Sequence, residues 1–265
     1  MLYSFLICFV ATTLGAISGV GGGVIIKPVM EALSDMPLLS INFLSGCTVL
    51  AMSIVSLLRS RGSGIKIDSK KSSFLGLGAV MGGFAGKELL HFFKNASPAD
   101  NLVGTVQSVL MLLLTIGVFL YMICKKRIPT LRVARFELCT LIGFLLGVLG
   151  SFLGIGGGPI NLIFLYFFFS MDTKTAGLNS LYIILFSQAA SFLHILLQGN
   201  IPPFSPGVML SMVSGGILGG FAGRGYSRNM KERQLEIAFY ILLVIIIGIS
   251  LYNLSGYLSA NITAP

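Results

Sequence analysis

Apolar residues run through this chain in eight blocks: Leu2–Leu33, Ile41–Leu58, Ser72–Phe93, Leu102–Cys124, Leu138–Ser170, Thr175–Leu197, Ser205–Gly223 and Leu235–Leu254. A helix needs about 20 apolar residues to cross hydrocarbon. The first and fifth blocks are too long for one crossing and too short for two. Each carries the same punctuation, Gly15-x3-Gly19-x-Gly21-Gly22-Gly23 and Gly150-x3-Gly154-x-Gly156-Gly157-Gly158, at an offset of 135. Three consecutive glycines break a membrane helix. Such a break is tolerated only where the freed backbone groups line a cavity or pack against protein. Both blocks therefore predict one helix, a break, and a short half-helix that turns back, starting near Val24 and near Pro159.

The halves correspond beyond the glycines. Ser45 matches Ser180 and Ser56 matches Ser191 at the same offset, and Gly82-Gly83-Phe84-Ala85-Gly86-Lys87 matches Gly219-Gly220-Phe221-Ala222-Gly223-Arg224 at 137. Ordered blocks with a two-residue drift predict a duplication. Basic residues then orient the halves, because they mark cytoplasmic loops. Three loops are basic: Arg59, Arg61, Lys66, Lys70 and Lys71; Lys125, Lys126, Arg127, Arg132 and Arg135; Arg224, Arg228, Lys231 and Arg233. The connections Asn95–Asn101 and Gly199–Phe204 carry few or none and belong outside. The loop between blocks two and three is then inside, and its counterpart between six and seven is outside.

The prediction is an all-α polytopic membrane protein of two inverted-topology repeats, each a Gly-Gly-Gly-broken helical hairpin plus three transmembrane helices. Residues 1–124 form the first repeat, 125–137 a cytoplasmic basic linker and 138–265 the second repeat. Both termini are expected on the extracellular or periplasmic side of the cell membrane.

Composition agrees. Hydrophobic residues make up 55% of the chain and charged residues 10%, where a soluble domain carries about 25% charged residues. Mean hydropathy is +0.92. The net charge of +9 reads as topological, since nucleic-acid binding would need a basic patch on a soluble face. Cys8, Cys47, Cys124 and Cys139 show no paired spacing, and His91 and His194 lie far apart, so neither disulfides, a metal nor a cofactor is expected. The N-terminus has no basic residue before its apolar run and reads as mature protein, not as a signal peptide. The oligomeric state stays open, a homodimer included.

The breaks are the leading candidates for chemistry. Half-helix N-termini present unpaired N–H groups and a positive dipole end, which favour an anion. Matched breaks in two halves point to a carrier's substrate site. Gly21, Gly22, Gly23, Gly156, Gly157 and Gly158 are thus candidate binding positions, with tight helix packing as the bland alternative. Ser45, Asn161, Asn179, Ser180 and Gln188 can hydrogen-bond an oxyanion without charging the site, or bond between helices. Lys27 and Glu31 lie at i,i+4 spacing and could attract an anion, relay a proton, or snorkel to the interface. Lys87 and Arg224 could draw anions into two mouths or serve as interfacial anchors.

An intramembrane serine hydrolase built on Ser18 and His194 is an alternative, but Ser18 corresponds to Leu153 and no residue near His194 in sequence orients it. A passive anion channel could share the polar path. No Gly-x4-Gly-Lys-Ser/Thr motif is present, so a carrier would run on a gradient of substrate, protons or another ion.

At Gly15–Pro28, Gly147–Pro159, Ala176-Gly177-Leu178-Asn179-Ser180, Gln188–His194 and the glycine-rich third block of each half, the chain resembles the sulfite exporter TauE/SafE family, also called the sulfonate uptake permease family. The resemblance implies a plasma-membrane carrier for sulfite, sulfonates, sulfoacetate or related organic anions, proton-coupled in some members. Lys27 and Pro159 depart from the family's usual pattern where a ligand would be read.

Overall fold

The computed structural model describes residues 1–60, 69–96, 100–125 and 127–263. Arg61, Lys66 and Lys126 of the predicted basic loops lie outside them. The described residues form ten helices: α1 (Leu2–Ser18), α2 (Gly23–Leu33), α3 (Leu38–Ser60), α4 (Ser69–Ala96), α5 (Asp100–Cys124), α6 (Phe136–Leu153), α7 (Gly158–Phe169), α8 (Thr173–Gln198), α9 (Pro206–Asn229) and α10 (Glu232–Thr263). Among those residues there is no strand. The fold is all-α, as the hydropathy requires.

Six helices are long and apolar enough to cross a membrane: α3, α5, α6, α8, α9 and α10. Two assignments differ from the sequence reading. The α4 helix, read as a crossing, is not in this set, because its lysines and five glycines dilute its apolar content. The α6 helix, read as one arm of a hairpin, has 18 residues and is long enough to cross alone.

Both long blocks break at the glycines. The α1 helix ends on Gly19 (φ 74°) and α6 on Gly154 (φ 69°). The N–H groups of Val20 and Gly21 donate to the Gly15 carbonyl at 3.0 and 3.2 Å, and those of Ile155 and Gly156 donate to the Gly150 carbonyl at 3.2 and 3.1 Å. The chain then folds back on its own helix. A Cβ placed on Gly15 would lie 2.6 Å from the Gly22 nitrogen, and one on Gly150 would lie 2.6 Å from the Gly157 nitrogen. No side chain fits in that gap. The returning arm α7 finishes beside the linker, where Leu131 and Val133 donate to the Phe167 and Phe168 carbonyls at 2.7 and 2.9 Å.

Glycine stripes set the helix pairing. Along α4, Gly78, Gly82 and Gly86 press in turn on Thr140, Phe144 and Val148 of α6. Along α9, Gly215, Gly219 and Gly223 press on Phe5, Phe9 and Thr13 of α1. Each pair runs parallel at backbone contact, with van der Waals packing standing in for the hydrophobic drive that lipid cannot supply. Thr48, Met52 and Ser60 of α3 meet Gly216, Gly220 and Arg224 of α9, so α3 runs with α1 and α9. Ser72, Gly83 and Glu88 of α4 meet Asn179, Ser187 and His194 of α8. The α3 and α8 helices run oppositely, since Ser40 near the start of α3 bonds Pro203 beyond the end of α8 (2.7 Å). The outward faces carry exposed Leu113, Leu120, Leu210 and Val244, an apolar surface suited to lipid.

Candidate functional site

The two breaks meet at the centre of the bundle. Gly21 and Gly156 (φ 82° and 79°) both pack on Val49 and Ile184, residues that are themselves 135 apart. A Cβ on Gly23 would lie 2.6 Å from the Ile155 carbonyl oxygen. The half-helices start at Gly23 and Gly158, one residue before the expected positions. The second break is the more distorted. Gly157 and Gly158 also take positive φ (98° and 45°), whereas Gly22 is right-handed at −74°. Pro159 follows this break, and proline disfavours the right-handed α region for Gly158 before it; glycine takes the positive φ at both positions without a Cβ clash.

Polar residues line a cavity beside the second break. Asn42, Gly46 and Cys47 come from α3, Lys87 from α4, and Gln188 and Ser191 from α8. Gly154 abuts the Asn42 side chain, and a Cβ on Gly156 would lie 3.7 Å from Gln188 Cγ. Its volume is about 10 Å³, near the minimum for one water. Phe43 and Phe192 also line it and stack with centroids 6.2 Å apart, and the Phe204 centroid lies 5.5 Å from that of Phe43.

Among the described residues, several of the predicted site residues have buried polar atoms with no hydrogen-bond partner: Ser45 Oγ, Ser180 Oγ, Gln188 Nε2 and both side-chain polar atoms of Asn161. Asn42, a polar residue at the start of the second block, is likewise unpartnered at both atoms. Buried polar groups are nearly always bonded, so such a concentration needs a cause. Asn179 differs, since its side chain accepts from Ser72 at 2.6 Å and donates to the Thr175 carbonyl at 2.9 Å.

Lys87 is 4% exposed, not at an interface as an anchor would be. Among the described residues it forms no ion pair and no hydrogen bond. Arg224 is buried too, at 6%, and donates through Nε to Ser60 Oγ at 2.6 Å.

Lys27 does not snorkel. It is 3% exposed and donates to Gln107 Oε1 and to the Leu153 carbonyl, both at 2.6 Å, with Glu31 Oε1 at 3.6 Å. Gln107 donates in turn to the Phe152 carbonyl at 2.5 Å. These groups cap the end of α6, where unpaired carbonyls favour a cation. An isolated glutamine in an apolar span was the sequence signal for this contact.

The Ser18 and His194 pairing does not form. Ser18 donates to the Leu14 carbonyl at 2.9 Å, while His194 does have an orienting neighbour, Glu88 at 2.7 Å. Among the described residues no cluster of metal-ligating side chains occurs.

Residues 4–251 match the family model described as sulfite exporter TauE/SafE. The chain is also 24% identical over 262 residues to the probable membrane transporter protein YunE of Bacillus subtilis (strain 168), covering 89% of this chain and 92% of that one. No solved structure matches the chain. With the family model spanning nearly its whole length, this chain belongs to the sulfite exporter TauE/SafE family of membrane transporters.

Proposed function

We propose that the chain is a secondary carrier of small oxyanions, sulfite or sulfonates foremost, in the cell membrane. The observation that carries this reading is Lys87, a buried cation without an acceptor among the described residues, facing a cavity edged by Asn42 and Gln188. A buried charge is tolerated when something pairs it, and an oxyanion would do so. The unpartnered amides would donate to its oxygens, and the adjoining break would contribute Gly156–Gly158 backbone. Ser45, Asn161 and Ser180, buried and unpartnered among the described residues, would be further donors. Lys27 and Glu31 would hold the hairpins together and stay out of the anion's path.

Alternating access would come from residues 1–124 and 138–265 moving against each other as inverted repeats around the crossing of the breaks. The opposed directions of α3 and α8 and the shared Val49–Ile184 seat support this. The small size of the cavity, about 10 Å³ and lined by the stacked Phe43 and Phe192, favours a carrier over an open pore. The basic residues at the ends of α3 and α9 favour placing that end in the cytoplasm, and both termini opposite.

Counterflow in proteoliposomes tests the proposal. Labelled sulfite should accumulate against preloaded unlabelled sulfite and saturate with concentration. Flux without stimulation from the opposite side, or uptake indifferent to Lys87→Gln, would remove the carrier site.

A further inference from the structure

At the end of the molecule where α3 and α9 finish and α8 begins, Arg59, Ser60, Lys174, Arg224, Ser227 and Arg228 line an open pocket of about 420 Å³. No carboxylate lines it among the described residues. Among the described residues none of the four cations makes an ion pair. Asp172, Glu232 and Glu236 line a different pocket with Lys125.

Two of the cations, Arg224 and Arg59, are held in place. Arg224 is fixed by Ser60 (2.6 Å) and by Ser227 (3.4 Å), and Ser227 Oγ donates to the Ile17 carbonyl at 3.2 Å. The Arg59 guanidinium lies 3.5 Å from the centroid of the Phe221 ring. A Cβ on Gly225 would fall 2.7 Å from Arg59 Nη2, so only a small residue at 225 lets Arg59 lie there. Four like charges around one pocket repel each other, and an anion among them converts that repulsion into attraction. Arginine forks match the oxygens of sulfate and phosphate groups.

We propose that this pocket is a second anion site, taking one compact oxyanion of the sulfate or phosphate type, free in solution or at the head of a lipid. Its role as the vestibule of the transport path rests on the carrier reading. Lys87 and Arg224 occupy matching places in the two Gly-Gly-Phe-Ala-Gly blocks, so each half would set one cation on the route. The binding itself is separable from transport.

The test is calorimetric titration of the full chain with sodium sulfate at low ionic strength, in nanodiscs of phosphatidylcholine. Arg59→Gln with Arg228→Gln, both exposed positions, should weaken sulfate binding at least tenfold, while Arg132→Gln, exposed and outside the pocket, leaves this binding within twofold. In nanodiscs containing phosphatidylglycerol, competition lost in the double variant assigns the pocket to the lipid headgroup, and absence of competition assigns it to the free ion. Sulfate binding untouched by the double variant, or no response to sulfate or to phosphatidylglycerol, overturns the site. Counterflow on the same samples reports separately on the carrier reading.

Discussion

Lys27 Nζ sits 2.6 Å from the Leu153 carbonyl oxygen, so the first hairpin grips the last residue of the helix that leads into the second break. Glu31 and Gln107 complete the clamp, and Asn253 Nδ2 reaches Glu31 Oε2 at 3.3 Å. Lys27→Met should leave Glu31 buried without its cation and cost about 3–5 kcal/mol of stability. Lys27→Met with Glu31→Gln should recover much of that. A thiol-reactive dye can follow thermal unfolding, because Cys8, Cys47 and Cys139 are buried. Equal loss in the single and double variants would refute the clamp.

Lys87 should behave in the opposite way. It has no acceptor among the described residues, so its burial costs folding energy without return. Lys87→Met is expected to raise the unfolding midpoint while lowering sulfite counterflow at least tenfold, and Lys87→Arg should retain part of the activity. A drop in stability for Lys87→Met would mean that the amine is satisfied within the protein.

Gly154 offers a test of the break itself. Its φ of 69° is strained for any other L-residue, and its missing side chain leaves room for Asn42. Gly154→Ala should cost about 1–3 kcal/mol and weaken apparent substrate affinity by displacing Asn42. Gly248→Ala, where a Cβ meets nothing within 4 Å, should be neutral or slightly stabilising, by about 1 kcal/mol at most. Similar effects at both positions would show that the break has no special geometry.

Phe192 lines the cavity and stacks on Phe43, which places the pair to act as its cover. Phe192→Ala should let anion through with reduced stimulation from the opposite side. A measured exchange-to-net-flux ratio equal to that of the unaltered protein would exclude Phe192 from closure.

Much of this architecture can be read along the chain. The breaks fall where positive φ is needed, and that need is local: only glycine takes it without strain. The stripes Gly78–Gly82–Gly86 and Gly215–Gly219–Gly223 follow from helical spacing, so close approach of α4 and α9 to some partner was legible. The partners were not. That α4 lies along α6, and α9 along α1, depends on which surfaces meet after the helices form.

Lys87 and Asn179 mark the boundary between the two kinds of information. Near the end of an apolar block a lysine reads as an anchor, and an asparagine beside Ser180 in a small-residue stretch reads as a ligand. Packing sets the surroundings of both, because Lys87 lines a cavity with residues of α3 and α8 while Ser72 of α4 bonds Asn179. Sequence alone determined the helical class, the two break positions and the stripes, since backbone strain and apolar length are properties of short segments. Only the tertiary structure decided which polar groups are left without partners, since pairing and loss of water depend on neighbours brought from distant parts of the chain.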